Sequence, residues 1–193
     1  MKKLLTLVSC FILIASATFA DVIGVSEMPS TRNTIVVDDF ENGNYWIWGG
    51  FDWDQYGAPK IGTSARLSRK WASQGNTSLE CKLKRSTQES SQNATYYMDY
   101  TWDFTGGKYV AIDVYNPEDF AFNIGIAFQT TNNWNWQDLG NYNVQPGVHT
   151  LVFDISHLEP EHIREVKRIT VSHVWGTTPR AGIFYIDNLR ILK

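Results

Sequence analysis

Two sets of residues in this chain have the types and spacing to do chemistry. One is the run Asn132 to Asn143 (NNWNWQDLGNYN), in which indoles alternate with amides. The other is a group of carboxylates at the two ends of the patterned region, Asp38, Asp39 and Glu41 near its start and Asp187 near its end. Aromatic rings beside Asn, Gln and Asp suit sugars, because the C–H face of a pyranose stacks on a ring while its hydroxyls exchange hydrogen bonds with amides and carboxylates. If the segment is extended, Trp134 and Trp136 share a face and Asn135 and Gln137 point the other way. A loop whose indoles fold back to cap the domain would use the same residues. The carboxylates are hard oxygen donors of the kind calcium takes, provided the first and last strands are neighbours. The loop Gln74 to Thr77 (QGNT) could add backbone carbonyls and the side chain of Asn76 or Thr77. Asp39, Glu41 and Gly43 do not have EF-hand spacing. Carboxylates solvated at strand ends, or paired with arginine, are the structural alternative.

Catalytic sets are thin. A retaining glycosidase holds two carboxylates about 5 Å apart across a cleft, and Asp113 with Glu118 and Asp119 does not supply that pair. The four histidines, 149, 157, 162 and 173, lack zinc spacing, and no Gly-x-Ser-x-Gly elbow is present. The expectation is a protein that is not an enzyme.

The elements that must position these residues are β-strands. Apolar and polar residues alternate in short runs bounded by Gly, Pro, Asn or Asp, which predicts strands at 34–40, 44–51, 65–68, 77–84, 95–104, 108–115, 121–129, 148–155, 166–173 and 182–191. One short helical segment is expected at 159–165. Ten strands without helical periodicity predict an all-β chain and favour a two-sheet sandwich over βαβ units. Alternation assigns their faces. Val110, Ile112 and Val114 point to the core, with Tyr109, Asp113 and Tyr115 opposite; Phe122, Ile124, Ile126 and Phe128 point inward, with Asn123 and Gln129 outward; Tyr97 and Asp99 oppose the apolar set of their strand. These are expected to be three neighbouring strands with one polar, aromatic face. Tyr45 to Trp53 (YWIWGGFDW) is apolar on both faces, so one side is core and the other a ligand platform or an interface. Trp71, Trp102 and Trp175 are expected in the core.

The ends bound the setting. Lys2 and Lys3, an apolar run from Leu4 to Ala15, and small residues at 18 and 20 read as a signal peptide cleaved after Ala20, so residues 1–20 are a leader for export. That run is too short to span a bilayer, and secretion, the cell surface or the periplasm are the expected destinations. Residues 21–33 read as a leader or linker and 34–193 as one β-sandwich domain. Losing Lys2 and Lys3, with no acid in the leader, takes the formal charge from −3 to −5, which argues against nucleic acid as a partner. Cys81 is then the lone cysteine and cannot make an internal disulfide; a buried apolar role is expected for it.

The order VDDFE, KWASQGNTSLECKL, GGKYVAIDVYNP, NNWNWQDLGNYNVQPGVHTLVFDIS and FYIDNLRI resembles the jelly-roll carbohydrate-binding modules of the galactose-binding-like superfamily that accompany cellulases and other glycanases. The resemblance covers essentially everything from Thr34. It implies a two-sheet jelly-roll β-sandwich and a polysaccharide or glycan partner. It also implies a structural calcium (Ca2+) site at Glu41, the Gly75-Asn76 turn and Asp187, with Asp39 as a further ligand. A cleft across the concave sheet would carry Tyr97, Asp99, Tyr109, Asp113, Tyr115, Gln129, Trp134 and Trp136. A signal peptide followed by the module alone is the organisation expected here, which departs from that pattern of modules carried on an enzyme. More distantly it resembles the outer-layer (sheath) proteins of spirochaete periplasmic flagellar filaments, which implies a structural role, with copies of itself or other envelope or filament proteins as partners.

Overall fold

A computed structural model describes residues 20–43, 45–50, 65–83, 85, 94–173 and 178–193, with 47–50 as backbone. Within these the strands are β1 (Asp21–Ile23), β2 (Thr34–Asp38), β3 (Ile47–Gly50), β4 (Ala65–Ser68), β5 (Ser78–Leu83), β6 (Ala94–Trp102), β7 (Tyr109–Asn116), β8 (Phe122–Thr130), β9 (Asn135–Val144), β10 (Gly147–Asp154), β11 (Val166–His173) and β12 (Gly182–Leu192), with one short helix, α1 (Pro160–Arg164). The all-β expectation holds, and the strands form two sheets. A seven-stranded sheet runs β1-β10-β7-β12-β5-β4, with β2 also paired to β12, and a five-stranded sheet runs β3-β6-β11-β8-β9. This is a jelly-roll β-sandwich. The first strand of the predicted domain does lie beside the last, since Thr34 to Asp38 pairs with Leu192 to Leu189.

Alternation explains what fills the space between the sheets. Val110, Ile112 and Val114 from β7, Phe122, Ile124, Ile126 and Phe128 from β8, and Phe184, Ile186, Leu189 and Ile191 from β12 are all buried in one cluster. Rings tie the layers together: Tyr96 of β6 meets Phe184 of β12 edge-on at 5.6 Å, and Phe122 of β8 meets the same ring at 5.5 Å. Each fully buried side chain of this size stabilises by about 1.5–3 kcal/mol. That core stands in for the missing disulfide, and Cys81 is buried within it.

β12 changes register at Asn188, whose φ of 51° marks a bulge. The extra residue keeps Ile186 and Leu189 facing inward while Asp187, Asn188 and Arg190 project to the outer side.

Residues 21–33, expected as a leader or linker, include β1 and pack on the sandwich. β1 pairs in parallel with β10, and Val22, Val25 and Met28 cover a second apolar cluster of Ala111, Val152 and Leu192. Gly24, at φ 106°, permits this approach: a Cβ there would sit 2.1 Å from the Val152 carbonyl oxygen and 2.6 Å from the Tyr142 hydroxyl. The segment from Asn132 to Asn143, expected as a binding stretch or capping loop, is largely the edge strand β9. Among the described residues no helix is long and apolar enough to cross a membrane. Residues 1–19 of the leader expected at 1–20, Phe51 and Trp53 of the doubly apolar segment, and Trp175 lie outside the described residues. Trp46 from that segment is buried, and Tyr45 is exposed.

Candidate functional site

The outer face of the five-stranded sheet is built in rows set by strand register. β11 lies between β6 and β8, and β9 flanks β8. One row reads Asp99, Arg168, Gln129, Trp136; the next reads Tyr97, Thr170, Ala127, Asp138; a third reads Thr95, Ser172, Gly125, Asn141. With strands roughly 4.8 Å apart, each row spans roughly 14 Å. The centre is lined by small side chains, since Thr170, Ser172 and Ala127 are all buried and Gly125 has none. Larger groups stand at the sides. Asn143 donates to Asn123 Oδ1 at 2.9 Å, so amides border the far end.

Arg168 organises the aromatic end. Its guanidinium lies 4.1 Å from the Tyr97 ring centre and 5.3 Å from that of Trp134. It also makes a two-pronged pair with Asp99, Nε donating to Oδ1 and an NH2 group donating to Oδ2 at 2.7 Å. The Asp99 carboxylate, above all, raises the Arg168 pKa, so the charge is permanent. Trp134 reaches this position from the turn between β8 and β9. That turn holds two non-glycine residues at positive φ, Thr131 at 61° and Trp134 at 54°, and Trp134 N donates to Thr131 O at 3.2 Å. A left-handed conformation at a β-branched or aromatic residue is costly and persists only where the surroundings enforce it. Here Thr131 N is held by Glu165 O at 2.8 Å, and Thr130 Oγ1 contacts His162 Nδ1 at 2.8 Å, anchoring the turn on α1 and the residue after it. Trp134 and Trp136 remain 45% and 44% exposed. The arrangement offers two indole surfaces, one fixed guanidinium, one carboxylate and several amides along one sheet face. It can stack flat apolar rings and exchange hydrogen bonds with hydroxyls.

Of the eight expected ligand residues, Tyr97, Asp99, Gln129, Trp134 and Trp136 meet on this face. Tyr109, Asp113 and Tyr115 do not. Their strand, β7, belongs to the other sheet, so the expectation of three neighbouring strands fails: β6 and β8 flank β11, and β7 is flanked by β10 and β12. Asp113 is buried and its oxygens are taken by Thr150 Oγ1 at 2.8 Å, Ser73 Oγ at 2.8 Å, Asn188 Nδ2 at 2.9 Å and Arg190 at 3.2 Å. It serves as a structural anion. Tyr109 packs on the small cluster beneath residues 22–28, and Tyr115 stacks on Tyr185 at 5.9 Å. Arg168, Thr170, Ser172, Asp138 and Asn141 were missed. Alternation along 166–173 would have found the first three, since Arg168, Thr170 and Ser172 oppose the buried Ile169 and Val171.

Of the residues expected at a metal site, Glu41 and Asp187 bind the loop Ser73 to Thr77 that carries Asn76, at separate points of it, and Asp39 contacts Glu41 instead. Glu41 Oε1 accepts from Asn76 N at 2.8 Å, Thr77 N at 2.7 Å and Thr77 Oγ1 at 2.9 Å, which holds its pKa below the ordinary value. Asp187 is fully buried. Its Oδ2 accepts from Ser73 N at 2.7 Å, Gln74 N at 3.0 Å and Ser73 Oγ at 3.1 Å, and its Oδ1 accepts from Asn188 N at 2.7 Å. Burial pushes its pKa up, against these bonds. Asp39 Oδ1 accepts from Glu41 N at 3.2 Å. Even the Phe40 carbonyl is occupied, by Thr77 Oγ1 at 2.6 Å. Calcium takes six to eight oxygens with lone pairs directed inward, whereas here N–H and O–H donors face the carboxylates. Among the described residues no three His, Cys, Asp or Glu side chains gather where they could hold an ion. The donor set does not fit a calcium cage, and the loop is fastened to the first and last strands by hydrogen bonds.

No protein-family model and no curated protein matches this sequence. Solved structures do match its fold. The CBM27-1 module of Caldicellulosiruptor saccharolyticus, solved with mannohexaose, is 19% identical, with a TM-score of 0.59 over 82% of this chain and 96% of that one. The family 11 carbohydrate-binding module of Clostridium thermocellum, solved with a β-1,3-1,4-mixed-linked tetrasaccharide, is 13% identical, with a TM-score of 0.55 over 82% and 95%. A CBM28 module described as specific for non-crystalline cellulose is 16% identical, with a TM-score of 0.53 over 90% and 97%. At these identities the likeness establishes the β-sandwich fold.

Proposed function

We propose that this chain is an exported, non-catalytic carbohydrate-binding protein that holds a linear polysaccharide along the outer face of its five-stranded sheet. The observation that carries this reading is the pair of exposed indoles, Trp134 and Trp136, at the end of a row containing Gln129, Arg168 and Asp99. Stacking supplies affinity and the polar row supplies selectivity. A row of polar and aromatic residues that crosses four strands suits an internal stretch of chain. The likeness to modules solved with mannohexaose and with a mixed-linked glucan tetrasaccharide supports the reading and directs the first ligands to try. No part of this reading uses a nucleophile or an acid–base pair, and Asp99, the carboxylate nearest the indoles in the row, is committed to Arg168.

Affinity gels containing glucomannan, mixed-linkage β-glucan or amorphous cellulose test the proposal. Retardation on at least one is expected, with Trp136→Ala and Arg168→Ala both weakening it. Stacking on one indole contributes about 1 kcal/mol or more beyond area burial, so Trp136→Ala should cost about fivefold or more in affinity. No retardation on any glycan would reject the function. Sequencing of the protein recovered from the periplasm or medium is expected to begin at Asp21.

A further inference from the structure

We propose that the outer face of the seven-stranded sheet carries a second site, at its β4–β5 side, that binds a carboxylated polysaccharide. It stands apart from the indole-bearing face and does not depend on it. Across this face Arg66, Glu80, Tyr185 and Tyr115 lie in register on β4, β5, β12 and β7. Trp71, from the loop after β4, leans on both tyrosines, with ring centres 5.6 Å from Tyr115 and 6.3 Å from Tyr185. Tyr185 is buried beneath them, while Trp71 and Tyr115 are half-buried and form the outer surface of this three-ring stack.

Cations rim the stack. Arg66 and Lys70 are 68% and 61% exposed, yet both converge on Glu80, which is 4% exposed, at 2.6 and 3.0 Å. Tyr185 Oη donates to the same carboxylate at 3.1 Å, so Glu80 fixes the two cations beside the rings. Lys82, on the same face of β5 two residues further on, is exposed and has no carboxylate partner among the described residues. Two cations therefore converge on one buried anion and a third stands two residues along the same strand face, in a chain whose overall formal charge is −3. Glu118, which approaches the neighbouring strand at Gly182, is taken up by Ile183 N at 2.9 Å and Arg180 at 3.8 Å.

Rings beside fixed and free cations match a uronic acid. Its ring C–H face stacks on the aromatic surface, and its carboxylate accepts charge-assisted hydrogen bonds from Arg66, Lys70 and Lys82. A neutral sugar would leave the excess positive charge unused.

Polygalacturonate is the probe, with fully methyl-esterified polygalacturonate as its neutral counterpart and dextran sulfate as a polyanion of different chemistry. Titrations use the whole chain and the Lys82→Glu, Trp71→Ala and Trp136→Ala variants. Polygalacturonate should bind at low ionic strength, about tenfold more weakly as salt rises from roughly 0.01 to 0.5 M. The esterified polymer should not compete. Lys82→Glu, a surface change that leaves the core intact, should weaken binding about fivefold, Trp71→Ala should weaken it further, and Trp136→Ala should leave it unchanged. The proposal fails if polygalacturonate does not bind at low salt or if Lys82→Glu has no effect. It also fails if Trp136→Ala abolishes binding, which would move the ligand to the indole-bearing face, or if dextran sulfate binds equally and Trp71→Ala is silent, which would reduce the site to charge alone. Each of these leaves the reading of the indole-bearing face standing.

Discussion

His173 should make this protein lose stability in mild acid. Its ring is 1% exposed in the core, stacks on Phe122 at 6.3 Å, and has no hydrogen-bond partner at either nitrogen among the described residues. Burial alone depresses its pKa to about 4 from an unfolded value of 6.5. The folded state therefore keeps the ring neutral where the unfolded chain has already taken up a proton, so stability is full above pH 6.5 and falls as pH drops toward 4. At about 1.4 kcal/mol per unit, a shift of this size is worth about 3 kcal/mol below pH 4, and about 2 kcal/mol of that is lost between pH 7.5 and 5. Asp38 and Asp187 work the other way, because burial raises their folded pKa values and their contribution declines as pH rises. Comparing wild type with His173→Leu cancels those terms. Urea denaturation at pH 7.5 and pH 5 should show the variant losing about 2 kcal/mol less than wild type over that interval. At pH 7.5 it should be at least as stable, because two unpartnered ring nitrogens are removed from the core. Equal losses in the two proteins, or an NMR titration placing His173 near 6.5, would refute the reasoning.

Asp113→Asn should separate structure from binding: it leaves the buried Arg190 without its carboxylate, which costs about 3 kcal/mol or more in stability, yet glycan affinity should hold in the folded fraction. A loss of affinity with unchanged melting would return Asp113 to the ligand site. EDTA and added calcium should leave the melting temperature unchanged, because N–H and O–H donors already face Glu41 Oε1 and both Asp187 oxygens, whereas Asp187→Ala should lower it. A rise of several degrees on adding calcium would contradict that.

Much of the sandwich was legible because alternation reports a half-buried strand directly, and β7 and β8 put inward the residues that it assigned there. The neighbours of each strand were not. Which strands share a sheet depends on long-range pairing that one-dimensional period cannot encode, so β7 was grouped with β6 and β8 although β11 separates those two. The same limit split the expected ligand set between two faces. The packing of residues 21–33 was not legible for another reason: Val22, Val25 and Met28 lack a recognisable period, and they meet their apolar neighbours Ala111, Val152 and Leu192 only on distant strands. The acidic residues at the two ends were correctly brought to one region, but the sequence does not reveal whether carbonyls or amides of the 73–77 loop turn toward them. Gly75, at φ 63°, allows the turn that presents the amides.

The most direct test of the central claim is calorimetric titration of the intact protein with soluble β-mannan and β-glucan oligosaccharides, run beside a Trp134→Ala/Trp136→Ala double variant. The account predicts binding by the wild type, loss of that binding in the double variant, and little change in melting temperature, since both indoles stand outside the core. Absence of binding to any oligosaccharide, or equal affinity in the double variant, would contradict it.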